Sequence, residues 1–314
     1  MMRNDNDYAR DIEKECLFWG RFECEANKYG IPWWCDLRRA TRLTKNVCGW
    51  MSDPVIENIV RGASKKTLIS TALAQKGRVL DLGCGAGWLS LELARQGADV
   101  DAVEVSSQRI DIARYYLQNN PFTESFGSIQ YLVSDLNMIT LSAARYQTVV
   151  CWDTLHHIPE LERLIKKVRD SLVPGGRFIV YDHIGLRRNN LRLLRVIRIP
   201  LHGISMAWRF LKGKRSDEAM TLSDRGIENG EASPFEDVTG EEMIGIIGKY
   251  FKVDAMTTQL SFLADLANDL FFLPRCVLYP VIWFLKRIDD ALILLRIVRG
   301  EYVFIIARTK EGSL

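Results

Sequence analysis

Three glycines at alternate positions, Gly83, Gly85 and Gly87, follow the apolar run Val79-Leu80-Asp81-Leu82 and precede Trp88-Leu89-Ser90. A turn stripped of side chains lets backbone N–H groups and the N-terminus of the next helix approach a ligand closely. Two acids frame it. Asp81 stands just before the turn, and Glu104 ends the next apolar run, Val100 to Val105. That is near the ~20-residue spacing between a glycine turn and a ribose-binding carboxylate in a nucleotide-binding βαβ unit. A dinucleotide fingerprint asks for a further glycine three positions after Gly85, where Trp88 stands, so the nucleotide is of another kind. A second group of chemistry-bearing residues follows other apolar runs: His156 and His157 after Thr148–Trp152, and His183 after Phe178–Tyr181. Imidazole titrates near neutrality and suits the removal of a proton from a hydroxyl. The reading favours His157 or His156 as base, then His183. Asp153 and Asp182 are close enough in sequence to orient a histidine, or simply to bind loop N–H groups.

Positioning these groups requires alternating elements. Residues 77–181 alternate apolar strands with helical patterns such as Ser106 to Asn119 and Leu161 to Ser171, which predicts a parallel sheet with helices on both faces. Thr239 reads as the N-cap of a helix to Tyr250, with Glu242 completing a capping box, followed by a strand from Phe251 to Thr257 and a last strand from Glu301 to Arg308. The chain has 314 residues, 47% hydrophobic, enough for a full core, and a net charge of +3, too small to demand nucleic acid. Seven widely spaced cysteines without a Cys-x-x-Cys pair read as reduced thiols rather than a disulfide frame or metal site. The charged start, Met1 to Glu15, lacks an apolar signal core, and the expected location is cytoplasmic.

The alternating glycines behind an acid resemble the glycine motif of class I S-adenosylmethionine-dependent methyltransferases. Tyr131-Leu-Val-Ser-Asp135-Leu136 is similar to that family's third strand, Thr148 to Trp152 with Asp153-Thr-Leu-His-His-Ile-Pro-Glu160 to its fourth strand and following loop, and Leu172 to Tyr181 to the turn into its fifth. The resemblance covers about residues 75–185 and resumes at the final strands. One departure is Gln147, where the family usually carries Asp at a structural position. The resemblance implies an α/β fold: a seven-stranded doubly wound sheet, mostly parallel with the last strand antiparallel. It also implies S-adenosylmethionine as cofactor, held by Asp81, Gly83, Cys84, Gly85, Gly87, Glu104, Val105, Asp135, Leu136 and Cys151. Asp135 would bind the adenine amino group and Glu104 the ribose.

The implied organisation is a helical, aromatic-rich extension over 1–74 that covers the cofactor, a core over 75–185, a basic amphipathic insertion over 186–232, a core helix and strand over 233–258, an apolar helical insertion over 259–300 and a final strand with tail over 301–314. From Arg187 to Arg215 stand nine basic residues and no acid. Leu193, Ile197, Leu201 and Trp208 fall on one helical side, and Pro200 would kink or split the segment. Such a segment suits an anionic membrane surface, or equally a lid. In the second insertion Arg275, Pro274 and Pro280 interrupt the apolar run, which falls short of the ~18–20 residues of a spanning helix. Both insertions should emerge on the edge where cofactor and substrate bind. The leading reading is O-methylation of a lipid, isoprenoid or lipid-linked acceptor, with peripheral attachment to a membrane's inner face through 187–215 and 260–299. A soluble small-metabolite acceptor, with the insertions as lid and homo-oligomer interface, is the alternative. A non-catalytic cofactor-binding regulator and an RNA methyltransferase rank below. The Asn/Asp-Pro-Pro-Tyr signature of nucleic-acid amino-methyltransferases is replaced by Asp153-Thr-Leu-His156.

Overall fold

The computed structural model describes residues 5–27, 53–120, 125–185, 235, 238–270 and 273–310. The basic stretch 187–215 and the aromatics Tyr29, Trp33, Trp34 and Trp50 lie outside the described residues. Seven strands form one sheet: β1 (Val79–Leu82), β2 (Asp99–Glu104), β3 (Ser128–Val133), β4 (Tyr146–Trp152), β5 (Leu172–His183), β6 (Phe251–Gln259) and β7 (Tyr302–Thr309). Their order is β3-β2-β1-β4-β5-β7-β6. The first five pair parallel, and β7 runs antiparallel to both β5 and β6. This is the sheet the resemblance implies. The carboxyl ends of β1, β2, β4, β5 and β6 therefore share one edge, with His183 and Gln259 both in register with Tyr302.

Helices α1 (Asp5–Asn27), α2 (Pro54–Ala72), α3 (Trp88–Arg95), α4 (Ser107–Gln118), α5 (Leu161–Ser171), α6 (Gly240–Tyr250), α7 (Leu263–Asp269) and α8 (Arg275–Leu294) surround the sheet. The central strands carry apolar runs, residues 149–152 in β4 and 178–181 in β5, because both faces are covered. Val149, Phe178 and Val180 pack with Leu164, Val168, Met243 and Ile247 of α5 and α6. Their neighbours Val150 and Ile179 point the other way, onto Leu68, Ala72, Leu89 and Leu93 of α2 and α3. The alternation is the period-2 geometry of a strand.

The start of α6 follows the predicted signal. Thr239 accepts the Glu242 N–H at 3.2 Å and so caps α6. Asp53 accepts the Val55 N–H at 3.0 Å ahead of Pro54, which opens α2. A third cluster joins Ile56 and Val60 of α2 to Leu263, Ala267, Leu278 and Ile282 of α7 and α8. Pro274 precedes α8, but Pro280 lies inside the helix and does not end it. Proline there removes the N–H that would reach the Cys276 carbonyl. Cys276 is exposed, so water can satisfy that carbonyl.

Candidate active site

All three turn glycines have left-handed backbones: Gly83 at φ +69°, Gly85 at +56° and Gly87 at +84°. A Cβ at Gly83 would stand 2.2 Å from Thr154 Oγ1, one at Gly85 2.6 Å from Arg109 Nη2, and one at Gly87 2.5 Å from the Tyr131 hydroxyl. Conformation and crowding both demand glycine. The Gly83 and Cys84 N–H groups donate to the Val103 carbonyl at 2.9 and 3.0 Å, pinning the turn to β2. Asp81 points inward and accepts the Ser90 hydroxyl at 2.5 Å, which ties β1 to α3. Burial pushes its carboxyl pKa up to about 7. α3 starts after Gly87, which has no side chain to cap its first turn.

The strand-end acids lie side by side beyond this turn. Glu104 accepts the Gly85 N–H at 3.0 Å on one oxygen and the Val105 and Ser106 N–H groups at 3.0 and 3.1 Å on the other. Arg109 sits 3.6 Å from the same carboxylate. Asp135 accepts the Asn137 N–H and side-chain amide at 2.9 and 3.0 Å, and its second oxygen takes the Tyr8 hydroxyl at 2.6 Å. Tyr8 belongs to α1, which lies over this edge. Cys16 donates to the Val105 carbonyl at 3.4 Å, and the Ser106 hydroxyl donates to the Cys16 carbonyl at 3.3 Å. Burial, then the charge of Glu104, raises the Cys16 thiol to about 11. Of the remaining predicted residues, Leu136 and Cys151 commit their side chains to the core, so only their backbones face the edge. Cys84 is buried as well, and burial holds the Cys84 and Cys151 thiols well above their ordinary range. Neither is a nucleophile at neutral pH.

The histidines are separated by their surroundings. Asp153 adopts φ +58° and turns the chain into a short helical turn, Leu155–His157. Asp182, fully buried on β5, organises that turn. One oxygen accepts the Thr154 and Leu155 N–H groups at 3.1 and 2.6 Å. The other accepts the His183 N–H at 2.8 Å and lies 2.5 Å from His156 Nδ1. A carboxylate on Nδ1 keeps the proton there and leaves Nε2 as the ring's acceptor. His157 instead places Nδ1 3.2 Å from the Phe235 carbonyl and its ring edge-on to Trp19 at 5.5 Å. Burial, then the neighbouring His156, lowers the His157 pKa to about 3, so it stays neutral. The His183 ring stands 5.8 Å from His156 and 5.2 Å from Tyr302.

Donor atoms of Asp153, His156 and Asp182 lie within 4.8 Å of one another, as metal ligands would. The hydrogen bonds to Asp182 and a guanidinium, Arg61 at 3.7 Å from Asp153, account for that grouping. Arg61 is a residue the sequence did not mark. It projects from α2 over a ladder of aromatic rings at the strand ends, 4.8 Å from Tyr302, 5.6 Å from Tyr181 and 5.9 Å from Trp152. Trp152 stacks on Tyr181 at 4.1 Å, and Tyr181 on Tyr302 at 5.3 Å. Burial opposes the Arg61 charge, but facing Tyr302, Tyr181 and Asp153 outweigh it and keep the guanidinium ionised. No spacing in α2 signals this, because the partners come from strands far along the chain.

The cradle fits an adenosyl group: a turn with no room for Cβ atoms, an uncapped helix start and two adjacent carboxylates. Residues 57–208 match the sequence family described as a methyltransferase domain. The ubiquinone biosynthesis O-methyltransferase of Coxiella burnetii is 34% identical over 110 residues, 35% of this chain and 45% of that protein. Its namesake in Xanthomonas euvesicatoria is 32% identical over 114 residues, 36% of this chain and 46% of the relative. The chain thus spans less than half the length of these curated relatives. Among solved structures, a geranyl diphosphate C-methyltransferase from Streptomyces coelicolor shares 14% identity at a TM-score of 0.49, over 79% of this chain and 76% of that one. The family match falls on the glycine turn, both strand-end acids and the histidine turn, and across residues 57–208 the chain is a class I S-adenosylmethionine-dependent methyltransferase domain.

Proposed function

We propose that the chain transfers a methyl group from S-adenosylmethionine to a hydroxyl of a hydrophobic, lipid-linked acceptor at a membrane face. The observation that carries the reading is the Asp182–His156 pair, held beside the glycine turn: Thr154, between the two, places its Oγ1 3.4 Å from the Gly83 carbonyl. When bound, the cofactor supplies a methyl already activated on a sulfonium, so the protein's share is alignment and proton removal. Gly83, Gly85 and Gly87 give the close backbone approach, and Glu104 and Asp135 are the hydrogen-bond acceptors for ribose and adenine. His156 takes the acceptor's proton on Nε2, and Asp182 stabilises the resulting imidazolium through Nδ1. His157, whose protonated form burial disfavours, is a wall rather than a base. The similarity to ubiquinone biosynthesis O-methyltransferases supports oxygen as the methyl acceptor and a hydrophobic substrate.

The test is incubation of the full chain with methyl-labelled S-adenosylmethionine and separate lipid and aqueous extracts. Label is expected in the lipid fraction, and His156→Ala is expected to lower kcat by about 10²–10⁴ without weakening cofactor binding. Label confined to the aqueous fraction would replace this acceptor class with a soluble metabolite.

A further inference from the structure

The outward face of α8 is apolar as well as its inward face. Leu278 and Ile282 are buried against α2, while Trp283 is 53% exposed, Phe284 60% and Leu294 82%. At 3.6 residues per turn, Val277, Trp283, Phe284, Ile288, Leu294 and Leu295 fall within an arc of about 140°. Scattered exposed apolar residues need no explanation, but a continuous stripe does. Arginines lie in and beside it: Arg287 within the stripe, its guanidinium 5.1 Å from the Trp283 ring, and Arg296 exposed at the C-terminal end, while Arg275 at the other end pairs with the buried Asp53 at 3.1 Å. The acids of the helix are spent elsewhere: Asp289 is buried and accepts the Ser261 N–H and hydroxyl, and Asp290 pairs with Lys286.

We infer that this face of α8 docks on an anionic lipid leaflet, with the helix lying in the plane of the interface. An apolar stripe carrying an exposed tryptophan and rimmed by arginines is complementary to acyl chains below negative headgroups. A second copy of the chain is a poorer complement. Pairing this face with itself would set Arg287 against the other copy's arginine, and the acid nearest the stripe, Asp290, is already paired with Lys286. Among the described residues no helix is long and apolar enough to cross a membrane, so the helix rests on the bilayer rather than spanning it. The inference deepens the proposed function by giving the membrane face its contact element, and it is tested without acceptor or cofactor.

Full-length chain is floated with phosphatidylcholine vesicles, with and without phosphatidylglycerol. Binding is expected only with the anionic lipid, weakening as salt rises. Trp283→Ser with Phe284→Ser should reduce the bound fraction by about tenfold or more, and Arg287→Glu severalfold. Leu294→Ser with Leu295→Ser is a second disruption at sites that touch little of the core, read the same way if the first pair lowers the melting temperature. Three results would overturn the inference: no flotation, flotation indifferent to these variants, or a dimer that the same variants dissociate. Any of them leaves the methyl-transfer reading intact, since label incorporation is measured separately.

Discussion

Across 127 residues of sequence, the Tyr8 hydroxyl donates to Asp135 Oδ2 at 2.6 Å. That contact occupies one oxygen of the carboxylate proposed for adenine, so cofactor and tyrosine compete for the same group. Tyr8→Phe deletes the competitor and leaves the ring's packing against Phe235 in place. A hydrogen bond of this kind is worth about 0.5–1.5 kcal/mol. Titration calorimetry with S-adenosylmethionine should therefore show a dissociation constant roughly two- to tenfold tighter in the variant. Weaker binding would instead place Tyr8 among the groups that hold the cofactor. Glu104 was legible in the sequence because it ends an apolar strand about 20 residues from the glycine turn, and Asp135 because the segment from Tyr131 resembles the family's third strand. Tyr8 and Arg61 were not, since nothing near them in the chain announces a partner on a distant strand. The histidine pair was half legible. Its position after β4 was plain, but which ring serves as base depends on Asp182, one strand over, and on the burial of His157.

The strand–turn–helix unit has its own pH signature. Asp81 joins β1 to α3 through Ser90, and its pKa of about 7 is raised above the ordinary carboxyl value of about 3.9. Between those two values the unfolded chain has lost this proton while the folded chain keeps it. Stability from this group therefore falls as pH rises through that window. Asp81→Asn keeps an oxygen for Ser90 and removes the titration. Melting temperatures of the variant should vary less than wild type over about pH 4 to 7, and above it the variant should gain a few kcal/mol at most. An unchanged pH profile would mean that Asp81 is ionised inside the fold. At this scale sequence patterns served well. The helix predicted from Leu161 to Ser171 is α5 with the same bounds, and the capping threonine of α6 is where it was read. Pro280 interrupts the apolar run without ending α8, because a proline's cost depends on whether solvent reaches the carbonyl it leaves unbonded.

For the molecule as a whole, strand direction decides what neighbours what. Because β6 is parallel to β5 and β7 returns between them, the segment bearing α7 and α8 leaves and re-enters the sheet at the edge that holds His156, Glu104 and Asp135. The segment that carries the apolar stripe is thus rooted at the same sheet edge as the reacting groups. An acceptor embedded in anionic vesicles should be methylated faster than the same acceptor in neutral ones. Trp283→Ser with Phe284→Ser should lower kcat/KM for the vesicle-borne acceptor alone, sparing a short-chain soluble one. Equal losses for both would put the helix's contribution inside the catalytic fold. The two ends of this segment meet: the Glu301 N–H donates to the Leu260 carbonyl at 2.8 Å, and a Cβ on Gly300 would come within 2.2 Å of the Gln259 nitrogen. A loop closed at its base can lengthen, shorten or be exchanged at small entropic cost to its host. A change in the segment's length is thereby a change at the rim of the site that leaves the glycine turn where it stands.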